Sequence, residues 1–432
     1  MCSKNNIGCK NNKATFETSD GEGFQQQMCK KCKTGDIQVW LRGTDTYCKD
    51  CFLANASHKF KSALGKSKII RKDDIILIDY SGNKSSTALL HLMQAAMCES
   101  SKKKLIFKPI VLFIDEGCAQ NKPLAERKLV INKILTEVKN FGFTGYVTSL
   151  DQAINKSICI EDINISKLLE NNNDWYKIMD KLLDVTSKND FLYQLRMKLL
   201  INVASKLKCN KIFTTESTAD LAMKILCNMS LGRGSNVMSD IVFSDVMKSN
   251  IVLIQPMKDF STTEINNYLN CYKIHPILED ANSHKIVDGN SIQAVTKQFI
   301  NQLDSKLNGT VSTIFHTGDK LRIEKNLEQN IETCIFCNLC LDTSLSEDIS
   351  AVDAIAFSRL ISLNGLNTSH NNIDIKSSTT NKYQECNNCN CTESKHNKIC
   401  LVGFHKNLCY SCRSIFSKLN TDEVIPNFLM IQ

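Results

Sequence analysis

The spacing of the cysteines constrains this chain more than any other feature. Cys29-x2-Cys32 is followed, fifteen residues later, by Cys48-x2-Cys51. Each knuckle offers two thiolates on a tight turn, and two knuckles brought together give a tetrahedral four-thiolate site. A closed set of four cysteine ligands is structural, and metal bound there contributes on the order of 10 kcal/mol to local folding. Between the knuckles, 37–42 reads as a strand of a zinc ribbon. A second cluster holds Cys334, Cys337, Cys340, Cys386, Cys389, Cys391, Cys400, Cys409 and Cys412. Its pairing stays open. Cys386-x2-Cys389 with Cys409-x2-Cys412 has a ribbon-like spacing, and Cys337-x2-Cys340 equally partners Cys409 and Cys412. At least one metal site is expected among them.

Smallness does not explain these cysteines. The chain has 432 residues, of which 42% are hydrophobic and 23% charged, so it can bury a core without staples. Two or three domains are expected at this length. The first residues, Met1-Cys2-Ser3-Lys4-Asn5-Asn6, are polar, and the longest apolar run, near Leu105–Ile114, is broken by Lys108. The expectation is therefore a cytoplasmic protein with no membrane segment. Thiols there stay reduced, which favours metal ligation over disulfides.

Between the two cysteine regions, strand-like and helix-like runs alternate. Ile75–Tyr80, 106–114, 145–150, 211–216 and 251–255 read as short buried strands. Leu89, Leu92, Met93 and Ala96 fall at helical spacing, as do Ile131, Ile134, Leu135 and Val138. This alternation predicts an α/β, Rossmann-like, mainly parallel sheet with ligands beyond the carboxyl ends of its strands. The loop Ser81-Gly82-Asn83-Lys84-Ser85-Ser86 joins the first strand to a helix N-terminus, a place that suits an anion. Asp115 and Glu116, at the end of the second strand, and Arg233, between two glycines, are candidate nucleotide or phosphate contacts. Residues 364–385, rich in Ser, Thr and Asn, read as a loop.

The net charge of +8 permits a polyanionic partner without demanding one. No acidic residue occurs from Phe52 to Lys72. Lys59, Lys61, Lys66, Lys68, Arg71 and Lys72 in that stretch are RNA-binding candidates.

Seven stretches together carry a family resemblance: Cys48-Lys49-Asp50-Cys51-Phe52, His58-Lys59-Phe60-Lys61, Leu64-Gly65-Lys66, Phe113-Ile114-Asp115-Glu116-Gly117, Leu231-Gly232-Arg233-Gly234, Gln255-Pro256-Met257-Lys258-Asp259 and Leu408-Cys409-Tyr410-Ser411-Cys412-Arg413. In this order they resemble the PP-loop ATP pyrophosphatases that thiolate tRNA, and within them the cytoplasmic tRNA 2-thiolation protein 2 family. The resemblance implies an adenine nucleotide alpha hydrolase-like sheet flanked by N- and C-terminal zinc-ribbon-like modules. It implies a ribbon over 1–58, a PP-loop-like domain over 59–325 with a basic connector at 59–72, and a cysteine-rich region over 326–432.

The catalytic PP-loop pattern is Ser-Gly-Gly-x-Asp-Ser. Here Ser81, Gly82 and Ser86 match, while Asn83 replaces the second glycine and Ser85 the aspartate. Asn83 adds a side chain where backbone should approach a pyrophosphate, and the missing carboxylate removes an anchor for the magnesium that accompanies ATP. The resemblance thus implies a subunit with a degenerate loop, paired with a catalytic subunit as a heterodimer. That partner would adenylate the wobble uridine of tRNA Lys, Glu and Gln and take sulfur from a thiocarboxylated ubiquitin-related modifier, making 2-thiouridine. Implied groups are structural zinc, ATP with magnesium chiefly in the partner, and an iron–sulfur cluster as the alternative to zinc. Two other functions compete: a zinc-scaffold interaction protein without an RNA role, and an enzyme using ATP at its own 81–86 loop.

Overall fold

The computed structural model describes residues 28–41, 44–66, 69–98, 105–154, 173–182, 184–234, 237, 244–246, 251–278, 290–307, 309–320, 333–339, 341 and 407–417. The chain divides into two compact units, Met1–Ala54 and Asn55–Gln432.

In the first unit, β1 (Val39–Leu41) pairs antiparallel with β2 (Asp45–Tyr47), with Trp40 opposite Thr46. The expected strand over 37–42 is present in shortened form, and β2 joins it. Helix α1 (Lys49–Lys66) starts directly after this hairpin.

The second unit is built on a six-stranded sheet. Its strands are β3 (Ile75–Asp79), β4 (Lys108–Asp115), β5 (Thr144–Ser149), β6 (Lys211–Phe213), β7 (Ser244–Val246) and β8 (Val252–Ile254). Their order is β5-β4-β3-β6-β8-β7; the first five are parallel and edge strand β7 runs antiparallel. In β3, Ile76, Leu77 and Ile78 are all fully buried. Such an unbroken apolar run marks a strand covered on both faces, which a parallel sheet requires. The strand order reverses between β3 and β6, so the crevice for a ligand lies above their carboxyl ends.

The helices are α2 (Lys84–Cys98), α3 (Leu124–Asn140), α4 (Asn173–Lys181), α5 (Val185–Lys206), α6 (Thr218–Ser230), α7 (Thr262–Tyr272), α8 (Ile292–Lys306), α9 (Thr310–Lys320) and α10 (Tyr410–Ser417). Local chemistry fixes several starts. Ser217 and Asp220 form a capping box on α6, and Ser261 and Glu264 form one on α7. Asp184 caps α5 through the Ser187 N–H. The main core joins the sheet and α5 to C-terminal residues. Phe191 of α5 stacks on Phe336, which meets Phe416 of α10 edge-on. None of the described helices is long and apolar enough to cross a membrane.

Candidate functional site: two four-thiolate centres and a closed phosphate loop

Cys29, Cys32, Cys48 and Cys51 bring their sulfurs within 4.8 Å of one another. The first knuckle is a turn: Cys29 N–H donates to Thr34 O, Lys33 N–H donates to Cys29 O, and Lys33 has φ 62°. The second knuckle sits at the start of α1, where free N–H groups favour a thiolate. The N–H of Cys32 pulls the Cys29 thiol down to about 6, while the hydrogen bond with Cys48 pushes Cys51 up to about 12. Lys30 forms an ion pair with Asp45 of β2 and fastens the turn to the hairpin.

A second group repeats this plan. Cys334, Cys337, Cys409 and Cys412 also lie within 4.8 Å of one another. Asn338 N–H donates to Cys334 O, and Asn338 has φ 61°, which reproduces the Cys29 turn. Cys409 and Cys412 flank the first turn of α10. Hydrogen bonds from Cys337, and then from Cys409 and Cys412, drive Cys334 far below the usual thiol range. The pairing that spacing left open takes neither of the two registers named above among the described residues. Cys334 with Cys337 supplies the knuckle, instead of Cys337 with Cys340, because the chain turns back at Asn338. Cys340, Cys386, Cys389 and the 364–385 stretch lie outside the described residues.

Both groups fit one tetrahedral, thiophilic ion. A metal–sulfur distance of about 2.3 Å places sulfurs about 3.8 Å apart. Cys32 and Cys48 are 3.6 Å apart, and Cys337 and Cys409 are 3.7 Å apart.

The 81–86 loop stands where the crevice requires it, between β3 and α2, but its anion-binding groups are engaged. Asn83 Oδ1 accepts from the Ser86 N–H at 2.9 Å, capping α2 with the chain's own side chain. Ser86 Oγ donates to Asn83 O at 3.0 Å, and Ser81 Oγ lies 3.5 Å from Ser86 Oγ. Gly82, at φ 75°, packs under Ile134 and Leu278, and its carbonyl accepts from the Leu278 N–H at 2.9 Å. Lys84 and Ser85 lie in the first turn of α2, each half-buried.

The carboxylates at the strand ends are engaged too. Asp115 accepts from Arg127 at 2.6 Å and from the Gly117 N–H at 3.0 Å. Glu116 accepts from Arg196 at 2.8 Å, while the same guanidinium grips Asp79 of β3 with two bonds of 2.7 Å. Arg233 departs from its expected place at a phosphate. It is only 1% exposed, and its guanidinium donates twice to Asp190, at 2.7 and 2.8 Å. A fork so engaged in the core does not face a polyanion.

The basic candidates divide. Lys59 donates to Glu264 at 2.8 Å and lies over the Phe260 ring. Lys61 is half-buried on α1. Arg71 and Lys72 are exposed. The Lys66 side chain and Lys68 lie outside the described residues. Asp79, Arg127, Asp190 and Arg196 escape a motif-based reading, since each gains its role only from a partner distant in sequence.

The family model described as cytoplasmic tRNA 2-thiolation protein 2 matches residues 291–414. Curated relatives with that description extend the match. Cytoplasmic tRNA 2-thiolation protein 2-A of Xenopus laevis is 28% identical over 469 residues, covering 94% of this chain and 90% of the relative. The Drosophila yakuba protein is 27% identical and covers 92% of each chain. The Xenopus tropicalis protein is 26% identical, covering all of this chain and 94% of its own. Among solved structures, the U34-tRNA thiolase NcsA of Methanococcus maripaludis, described with its four-iron four-sulfur cluster, shares the fold with a TM-score of 0.51 and 17% identity; the match covers 74% of this chain and 94% of that one. The likeness runs from the N-terminal knuckles through the sheet to the C-terminal ones, and over nearly its whole length the chain is similar to the cytoplasmic tRNA 2-thiolation protein 2 family.

Proposed function

We propose that this protein is a non-adenylating subunit of a cytoplasmic tRNA 2-thiolation complex, giving shape and RNA contacts to a catalytic PP-loop partner. The observation that carries this reading is the Asn83 side chain on the Ser86 N–H, together with Gly82 under Ile134 and Leu278. A phosphate at this loop would have to displace both a cap and a packed side chain. Asp115 and Glu116, each held by an arginine, are poor magnesium anchors. Adenylation of the wobble uridine and receipt of sulfur from a thiocarboxylated ubiquitin-related modifier then fall to the partner in a heterodimer. The products are 2-thiouridines in tRNA Lys, Glu and Gln.

Arg71 and Lys72, exposed beyond α1, are the best placed of the candidate RNA contacts, with Lys61, Lys66 and Lys68 nearby in sequence. In this reading the ribbon over 1–58 and the cysteine-rich region over 326–432 flank the 59–325 domain as structural modules. Each four-thiolate centre holds zinc. Sulfur separations of 3.6 and 3.7 Å support a single ion, since a four-iron cubane spreads its thiolates further apart.

The deciding measurement is mass spectrometry of total tRNA from cells lacking this protein. Loss of wobble 2-thiouridine is expected, and unchanged levels would discard the reading. The purified chain alone is expected to show no pyrophosphate release from ATP with tRNA. Robust turnover would instead support an enzyme using its own 81–86 loop.

A further inference from the structure

Arg233 occupies an unusual place. Besides its two bonds to Asp190, its Nη2 lies 3.5 Å from Cys412 Sγ. Ser411 Oγ donates to the same Asp190 carboxylate at 3.2 Å. Two consecutive residues of the Leu231–Gly234 turn, Gly232 and Arg233, therefore face α10. Gly232, at φ 80°, lies under the Tyr410 ring so closely that a Cβ there would come within 2.6 Å of it. Arg233 N–H donates to Asn228 O at 2.8 Å and holds the turn on the end of α6. The guanidinium then reaches between Asp190 of α5 and Cys412.

The charge balance gives this arrangement a purpose. A divalent ion with four thiolates carries a net charge of about −2. Burying such a charge among apolar groups is costly unless donors reach it. Cys334, Cys409 and Cys412 are buried beside Phe191, Phe336 and Phe416. At the N-terminal centre Cys32 is exposed and Cys48 and Cys51 are half-buried, so water can solvate those sulfurs. An Arg–Asp pair alone would not explain the position, because a buried ion pair adds little stability over well-packed apolar groups. Its additional product is a fixed donor aimed at sulfur.

We propose that the Leu231–Gly234 turn is the docking platform of the C-terminal thiolate centre, and that Arg233 is a positioning residue that donates an outer hydrogen bond to the metal-bound thiolate of Cys412. This rests on reading Cys334, Cys337, Cys409 and Cys412 as a metal site. Asp190 orients the guanidinium, Ser411 ties the ligand loop to the same carboxylate, and Gly232 admits Tyr410. Groups in this outer position commonly change metal affinity by about 10- to 100-fold.

The test uses the full chain carrying Cys29→Ser and Cys32→Ser, which leaves the C-terminal centre as the one complete four-thiolate centre among the described residues. The parent is loaded with cobalt(II). Its thiolate-to-cobalt absorption and the rate of cobalt loss to a chelator are recorded. Arg233→Lys is compared with the parent, and so is the double variant Arg233→Gln with Asp190→Asn, which removes both members of the ion pair together. Both are expected to shift the charge-transfer band and release cobalt about 10- to 100-fold faster. Gly232→Ala, which displaces Tyr410, is expected to speed release as well. Unchanged band and release rate in either folded Arg233 variant would overturn the proposal. A parent that binds no cobalt would overturn the metal-site reading first, so the two failures are distinguishable.

Discussion

At single residues, the second unit holds many polar groups in buried or half-buried pairs set by distant chain segments. His91 on α2 is one. Its Nδ1 lies 2.8 Å from Tyr268 Oη, and its ring packs against Tyr268 and Tyr272 of α7. Burial lowers its pKa from 6.5. The unfolded chain therefore takes up a proton that the folded one resists, and stability falls as pH drops through about 6.5. His91→Gln is expected to flatten this dependence. Thermal melts of both proteins between neutral and mildly acidic pH check it, and parallel slopes would contradict it.

The same scale shows why some site residues were legible and others were not. Asn83 and Ser85 stand out because a known loop pattern says what should be there. Arg196 does not stand out, because its meaning depends on Asp79 and Glu116 at the ends of two strands that only the sheet makes adjacent. Arg233 was visible as a cation among glycines, but flanking glycines do not reveal whether such a fork faces solvent or core. Its engagement with Asp190 arises from α5, far away in sequence.

At the scale of elements, the capped start of α2 is the feature that separates this loop from an open phosphate cradle. Replacing Asn83 by alanine removes the acceptor of the Ser86 N–H, and a lost N-cap costs about 0.5–2 kcal/mol. Asn83→Ala is expected to lower the denaturant midpoint accordingly, measured by urea unfolding. Gly82→Ala is expected to cost more, since it places a methyl 2.6 Å from Ile134 Cδ1 at a positive φ. The strands of the parallel sheet were readable as short apolar runs, and α2 and α3 as helical spacings. The antiparallel edge β7 was not, because three residues without strong alternation carry little signal. Nor was the second metal knuckle resolved. Cys334, Cys337 and Cys340 form two overlapping CxxC pairs, and spacing alone cannot choose between them.

At the scale of the whole molecule, metal content is the most direct measurement. The two four-thiolate centres among the described residues are expected to account for about two zinc ions per chain, one each. Stripping them with a chelator should lower thermal stability, with the C-terminal centre mattering more to the second unit because its cysteines lie in the main core. Atomic absorption before and after chelation, paired with melts, checks both statements. An unaltered melt after complete metal loss would contradict the structural role.

Elements that depend on neighbours along the chain could be read from the residues alone. Those are the N-terminal thiolate pair of knuckles, the alternating strands and helices, and the substitution of Asn83 and Ser85 in the phosphate loop. Short-range spacing and side-chain type suffice for these, because turns, periodicity and caps act within a few residues. Which of the described C-terminal cysteines meet, the closure of Leu278 and Ile134 over Gly82, and the reach of Arg233 to Cys412 emerge only from the folded chain. Those outcomes depend on burial and on groups brought together from segments far apart in sequence, and a linear pattern carries no record of that distance.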